Sequence, residues 1–169
     1  DSARQNIKLF EVRFSPDWAF HGQNLDWDAC LEGLLRAKER AEKEFDMAIG
    51  YIAITSRGMG ADSCVKTVDW AIRHRQHILG VDLADGELLH PLGDFVKPIL
   101  KAKEAGLKVT IHTGEDTSAA YVIETIRNFK PDRIGHGIHA IEDMKAVELI
   151  KERGITLEVN PWSNYLTNS

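Results

Sequence analysis

The stretch VTIHTGED, residues 109–116, decides the fold class of this 169-residue chain. An alternating run of apolar residues ends at a histidine, and a glycine and two acidic residues follow within four positions. Such alternation indicates a β-strand, here LKVTIH over residues 107–112. Reactive side chains at the carboxyl end of a strand are typical of α/β enzymes, in which several strand ends form one site.

Short β-rich runs alternate with amphipathic helical segments along the rest of the chain. Strands joined through helices are expected to be parallel, so the fold class is α/β. In the second predicted helix, residues 62–74, the spacing places Val65, Val68, Ala71 and Ile72 inward. The predicted strands cover residues 9–16, 47–57, 78–87 with its loop, 107–112, 132–136 and 155–161, and the predicted helices cover residues 26–45, 62–74, 92–105, 118–129 and 141–154.

The positions of the polar residues separate the two α/β folds that this alternation allows. A doubly wound sheet is expected to carry a glycine-rich phosphate loop after its first strand, and LFEVRFSPDWAFHG, residues 9–22, contains none. A (β/α)8 barrel collects its chemistry at the carboxyl ends of several strands. Polar residues lie at or just past such ends here: Arg13, Asp82, His112, Glu115, His136 and Asn160. The sequence therefore predicts an incomplete TIM-type (β/α)8 barrel of six parallel strands, with residues 1–169 forming one partial domain.

Composition excludes several other classes of protein. With 43% hydrophobic and 28% charged residues the chain is long enough to bury a core, and its net charge of −5 argues against a nucleic-acid partner. No apolar run reaches the length of about 20 residues that a membrane helix needs, and no signal peptide is recognisable, so a cytoplasmic location is expected. The two cysteines, Cys30 and Cys64, are predicted to be buried thiols.

Five stretches, in this order and spacing, make the chain resemble the adenosine deaminase family of metal-dependent amidohydrolases. They are LFEVRFSP, GVDLADGE, IHTGED, DRIGHGIH and LEVNPWSNYLT, and together they span residues 9–167. Each motif alone is weak, but five collinear motifs are specific. The resemblance implies a zinc-dependent enzyme that hydrolyses the 6-amino group of adenosine or 2′-deoxyadenosine to give inosine, or its deoxy form, and ammonia, with a small-molecule purine nucleoside as its substrate.

The resemblance also implies a role for particular residues. His112, the histidine of the HxGE motif, would be a zinc ligand, and Glu115 of the same motif would stand beside the purine N1 and supply a proton. His136, the first histidine of GHGIH, would orient and activate the metal-bound water. A backbone amide at Asp85, next to Gly86, would contact the purine ring. The PxSN stretch, here Pro161, Ser163 and Asn164, would line the bottom of the site.

Two departures from the family pattern qualify this assignment. No HxH motif occurs, and the DDP-like motif that supplies an aspartate ligand is absent from the 169 residues. The six strands then correspond to the second to seventh of the barrel, with the first and last missing, and the chain, which begins at Asp1, is expected to be part of a longer polypeptide. By itself it is expected to bind zinc weakly, to lack useful activity, and to expose edges open to self-association or to a complementing segment.

The second departure is local. The family pattern DLAG-x-E reads DLADGE here, which brings the Asp85 carboxylate near the expected purine edge, where it would either shift specificity or point away. Arg13 and Asp82 are predicted to belong to a buried ion or hydrogen-bond network in the barrel. His139 is predicted to be a loop or structural residue, and Asp116 a solvated neighbour or a helix cap. Two alternatives to adenosine deamination stay open: a related aminopurine deaminase (adenine, modified nucleotide or aminofutalosine type), or a non-catalytic remnant or interaction module of the same fold.

Overall fold

The computed structural model describes residues 1–23 and 25–169, and a six-stranded parallel sheet lies at its centre. The strands are β1 (Leu9–Phe14), β2 (Ala48–Ser56), β3 (Ile78–Ala84), β4 (Lys108–Thr113), β5 (Arg133–His136) and β6 (Thr156–Glu158). They lie in the sheet in chain order, and each neighbouring pair is parallel. All six predicted strands are confirmed, with most bounds moved by one to three residues.

Helices connect the strands as the alternation predicted. They are α1 (Pro16–Ala19), α2 (Trp27–Glu44), α3 (Gly60–Arg73), α4 (Gly93–Glu104), α5 (Ala119–Phe129), α6 (Met144–Arg153) and α7 (Pro161–Thr167). Helix α6 begins later than predicted, because Asp143 caps it by accepting a hydrogen bond from the Lys145 amide. The short helices α1 and α7 were not predicted, although each begins with a proline, whose fixed φ suits the first helical position.

The core lies between the sheet and the helices on its convex side. The β4 residues Val109 and Ile111 are fully buried, as are Val68 and Ala71 of α3. The prediction is wrong for Val65, which is 44% exposed, because it lies about 100° around the helix from the fully buried Cys64 and beyond the edge of the buried stripe.

The cysteine prediction holds for one residue of the two. Cys64 belongs to the buried stripe of α3, and burial raises the pKa of its thiol to about 12. Cys30, on α2, is only partly buried. Both thiols are free.

Ion pairs across the concave side show that the sheet curls into a half-barrel. β1 and β6 are at opposite edges of the sheet, yet Arg13 on β1 forms an ion pair with Glu158 on β6. Arg13 also donates to Asp82 on β3 over 2.9 Å, as predicted. Arg133 on β5 binds Glu11 on β1 through both carboxylate oxygens. The carboxyl ends of the strands therefore converge on one region. Within the described residues, no helix has the length and hydrophobicity to cross a membrane.

Candidate active site

The concave face carries an open pocket of about 430 Å³ at the carboxyl ends of the strands. Polar and charged side chains dominate its lining, which consists of Glu11, Arg13, Ile54, Asp82, His112, Arg133, His136, Glu158, Asn160 and Ser163. Five of the six polar residues that the sequence placed at strand ends are in this lining, and the sixth, Glu115, contacts one of them. The half-barrel thus gathers residues that are far apart in sequence.

His112 lies near the end of β4, and its ring packs against Gly135 of β5. The two residues are register partners, and a Cβ atom added at Gly135 would come within 2.5 Å of the imidazole. Nε2 of His112 lies 3.3 Å from the buried Asp82 carboxylate. Burial lowers the pKa of His112, but the hydrogen bond and the charge of Asp82 outweigh it, so the pKa is raised overall. Asp82 thereby orients the ring and favours a positive charge beside it.

His136 ends β5 in a strained backbone conformation. Its φ of 66° is left-handed, which costs a residue other than glycine about 1–2 kcal/mol, and its side chain is 5% exposed. Nδ1 lies 2.9 Å from the Asn164 amide nitrogen, and Nε2 lies 3.3 Å from the Glu115 carboxylate. Because the amide nitrogen donates, Nδ1 must accept, and this arrangement puts the imidazole proton on Nε2, toward Glu115. The unpredicted helix α7 therefore sets the tautomer of His136 through Asn164.

His112, Glu115 and His136 form the metal-binding candidate. One ligand atom from each lies within 4.8 Å of the others, and the two imidazole rings are 5.2 Å apart between centroids. Imidazole nitrogens and carboxylate oxygens are donors that zinc accepts, but His136 offers no free nitrogen when Nδ1 accepts from Asn164 and Nε2 carries the proton. Oδ1 of Asp82 is buried with no hydrogen-bond partner among the described residues, and it belongs to the carboxylate beside His112. His112 therefore fits a zinc ion as one ligand of a partial set, with Glu115 and His136 beside it.

Glu87 is a functional candidate that the sequence patterns did not identify. It is 3% exposed, and its carboxylate accepts hydrogen bonds from the backbone amides of Gly114 (2.8 Å), Glu115 (2.7 Å) and Asp116 (3.2 Å). The hydroxyl of Thr117 also donates to it. Glu87 lies inside the quoted motif GVDLADGE, so an acidic residue at the end of a buried strand was the available signal.

Arg57 is the second residue that sequence reasoning missed. It is completely buried, and its guanidinium donates to the carbonyl oxygens of His112 (2.8 Å) and Glu87 (3.1 Å) and to the Tyr121 hydroxyl (3.2 Å). A buried guanidinium is costly unless its donors are satisfied, and here Nη1 and Nη2 have partners while Nε has none among the described residues. Its five N–H groups in a rigid fork suit two carbonyls on separate loops, so Arg57 ties the loop after β3 to the end of β4.

Asp85 and Gly86 lie on the loop after β3, and neither belongs to the residues that line the pocket. The Asp85 carboxylate accepts from the Ser56 hydroxyl (2.6 Å) and from the amides of Gly58 (3.1 Å) and Gly86 (2.8 Å). Burial raises the pKa of Asp85, but these hydrogen bonds outweigh it and the pKa is lowered overall. The carboxylate is thus committed to the loop after β2, which favours the alternative in which it points away from a purine.

Comparison with known proteins places this geometry in a family. The family described as adenosine deaminase matches residues 1–169. An adenosine deaminase from Shewanella loihica is 32% identical over all 169 residues, which cover 51% of that protein, so the chain spans about half the length of such relatives.

Two crystal structures share the fold. The adenine deaminase from Arthrobacter aurescens is 28% identical with a TM-score of 0.86, over 96% of this chain and 50% of that one. A zinc-bound amidohydrolase from Burkholderia ambifaria has a TM-score of 0.90 at 23% identity, over 98% of this chain and 46% of that one. The half-barrel is therefore part of the TIM-barrel amidohydrolase fold, as predicted. With a family match over its whole length, the chain belongs to the adenosine deaminase family of hydrolases.

Proposed function

We propose that the complete protein is a zinc-dependent deaminase that converts adenosine or 2′-deoxyadenosine to inosine or its deoxy form. Water replaces the 6-amino group: a C–O bond forms at the purine C6, the C–N bond breaks, and ammonia leaves. The observation that carries the proposal is the meeting of His112, Glu115 and His136 within 4.8 Å at converging strand ends. Family membership supplies the reaction class, and this cluster supplies the chemistry that the reaction needs.

In this proposal His112 holds the zinc ion, with the Asp82 carboxylate orienting its ring from 3.3 Å. When bound, zinc lowers the pKa of a coordinated water, so that a nucleophile is available near neutral pH. The histidine pair and the aspartate that the family pattern adds to the ligand set do not occur as motifs in these 169 residues. We therefore assign the remaining ligands to the other half of the complete protein.

Glu115 and His136 divide the proton transfers between them. Glu115 is proposed to protonate the purine N1, because it lies beside the metal candidate on a loop rather than on the strand that holds His112. A protonated ring nitrogen makes C6 a better electrophile. His136, with its proton directed to Nε2 by Asn164, is proposed to orient the attacking water. The Asp85 amide, Gly86, Pro161, Ser163 and Asn164 keep their proposed place around the purine.

The test uses the complete protein and the replacement Glu115→Gln. Adenosine absorbance and released ammonia report turnover, and metal analysis reports zinc. Glu115→Gln should abolish measurable turnover while zinc content stays that of the wild type, because the amide cannot donate an acidic proton. Glu152→Gln on the exposed face of α6 is the matched control and should behave as wild type. Near-normal turnover of Glu115→Gln would overturn the assignment of the proton donor.

A second candidate is a related deaminase that acts on another aminopurine. It is favoured by the 28% identity to an enzyme described as adenine deaminase. A panel of adenosine, 2′-deoxyadenosine, adenine and adenosine monophosphate, compared by kcat/KM in the complete protein, separates the two candidates. The third alternative, a non-catalytic remnant, is tested by the coding sequence around this segment: an HxH motif before it and an aspartate pair after it would rule the remnant out.

A further inference from the structure

The carboxylate of Glu87 is buried without a lysine, arginine or histidine in ion-pair contact among the described residues, and backbone groups compensate it instead. Oε1 accepts from the amides of Glu115 (2.7 Å) and Asp116 (3.2 Å), and Oε2 accepts from the amide of Gly114 (2.8 Å) and the hydroxyl of Thr117. A buried carboxylate demands such partners, because its desolvation is costly. Four donors from four consecutive residues therefore converge on a single side chain.

The loop that Glu87 holds has one other backbone contact at Gly114, whose carbonyl accepts from the amide of His139 (3.0 Å), but its amides turn toward Glu87. Gly114 adopts a left-handed φ of 68°, and a Cβ there would come within 2.6 Å of Val122, so the chain turns tightly at this point. Three successive amides then point toward Glu87 rather than into a helix or sheet. If the carboxylate were removed, these donors would be left unsatisfied in a buried position, and the loop would rearrange to reach water.

Glu87 is itself fixed in place from its backbone side. Its carbonyl oxygen accepts from the Arg57 guanidinium (3.1 Å) and from the Tyr121 hydroxyl (2.9 Å). The same guanidinium donates to the carbonyl of His112 (2.8 Å). Glu87 is thus a rigid link between the proposed zinc ligand and the loop that carries Glu115.

We propose that Glu87 is a positioning residue for the deamination: its carboxylate holds residues 114–117 and, through the amide of Glu115, keeps the proton-donating carboxyl group at the reacting centre. The effect on turnover rests on the proposed function, whereas the clamp on residues 114–117 does not. Because small displacements of a reacting group reduce rates steeply, with about 100-fold lost for a shift of about 1 Å, the main effect of losing the clamp falls on kcat.

The first measurement tests the clamp without any enzymatic activity. Amide hydrogen exchange of residues 112–118 is compared in the wild-type complete protein, in Glu87→Gln and in Asp132→Asn. Asp132 is the matched control, because it also binds a backbone amide of β4, that of Val109 (2.9 Å), but at the opposite end of the strand. Exchange at Gly114 and Glu115 should rise at least about tenfold in Glu87→Gln and stay unchanged in Asp132→Asn. Unchanged exchange in Glu87→Gln would overturn the clamp.

The second measurement tests positioning through kinetics on adenosine. Glu87→Gln should lower kcat by about 10- to 100-fold, with a change in KM of less than about threefold and unchanged zinc content. Asp132→Asn should retain kcat although it loses stability. Equal losses of kcat in both variants would reduce Glu87 to a structural role and overturn the proposal. A wild-type protein without turnover on any aminopurine would refute the proposed function, while the exchange measurement would still decide the clamp.

Discussion

Replacing Gly135 by alanine should displace the imidazole of His112, the proposed zinc ligand, while leaving that residue itself unchanged. A Cβ atom at this position would lie 2.5, 2.8 and 2.9 Å from Cδ2, Nε2 and Cγ of His112. Carbon atoms in contact prefer separations of about 3.5–4.0 Å, so the imidazole would have to move by about 1 Å. Gly135 lies in β5 between two paired strands, so its backbone has little freedom to move instead.

The size of the effect follows from these contacts. Overpacking a well-packed site by one methyl group costs about 1–3 kcal/mol, so the free energy of unfolding should fall by that amount. Metal ligands tolerate displacements of only about 0.2 Å, and a misplaced ligand costs about 10- to 100-fold in affinity. Urea unfolding followed by circular dichroism measures the first effect, and zinc titration of the chelator-treated complete protein measures the second.

Gly93→Ala is the matched control for this replacement. Gly93 begins α4, is exposed, and offers open space to an added Cβ. Its replacement should leave zinc affinity unchanged and leave the free energy of unfolding unchanged or slightly higher, because alanine favours helix. If Gly135→Ala kept both the stability and the zinc affinity of the wild type, the close packing of the His112 ring on β5 would be refuted.

Three further replacements test the surroundings of the site. Burial raises the pKa of Asp132, but hydrogen bonds from Val109 and Lys103 outweigh it, so the pKa is lowered overall. Asp132→Asn should therefore remove about 1–2 kcal/mol of unfolding free energy near neutral pH, and this difference should be lost as the pH falls below about 4 and the carboxylate is protonated. Urea unfolding at a series of pH values measures it. Arg57→Lys should cost about 2–3 kcal/mol of unfolding free energy, because an ammonium group cannot reach both carbonyls that the fork binds; wild-type stability would contradict those contacts. Asp85→Gly should leave the ratios of kcat/KM among aminopurines within about twofold, and a larger change would show that its carboxylate faces the substrate.

The strands and the main helices were predictable because their signals are local. The alternation in LKVTIH predicts a strand, and the spacing of apolar residues in α2 predicts a helix, because each pattern depends only on which side of the element a residue faces. The folded chain has both elements. Helix α7 was not predicted because its sequence, PWSNYLT, is only seven residues long, and hydrophobic periodicity is read over windows of about 11–18 residues. Its apolar residues Trp162, Tyr165 and Leu166 share helical spacing, but all three are exposed.

The residues that carry the proposed chemistry were predictable, whereas those that support them were not. His112, Glu115 and His136 come at strand ends within motifs of a family, and the structure brings them together. Glu87 and Arg57 act across 28 and 55 positions of sequence, on the backbone of residues 115 and 112. A contact with a backbone atom leaves no pattern in the residue types of the partner, so only the folded chain reveals it.

The charges of the concave face favour binding of a cation beside His112 over binding beside the paired carboxylates of the pocket. Both guanidinium groups of the pocket are already paired, Arg13 with Asp82 and Glu158, and Arg133 with Glu11 and Glu158. Among the acidic oxygens outside these pairs are Oδ1 of Asp82, which has no partner among the described residues, and those of Glu115, which contacts only groups without a fixed positive charge. Asp82 lies 3.3 Å from Nε2 of His112, and Glu115 has an oxygen within 4.8 Å of a ring nitrogen of the same residue. Because carboxylates that are paired with arginine attract a cation less than unpaired oxygens do, we expect a metal ion in this pocket to lie beside His112, near the Glu115 carboxylate and Oδ1 of Asp82, rather than beside Glu11.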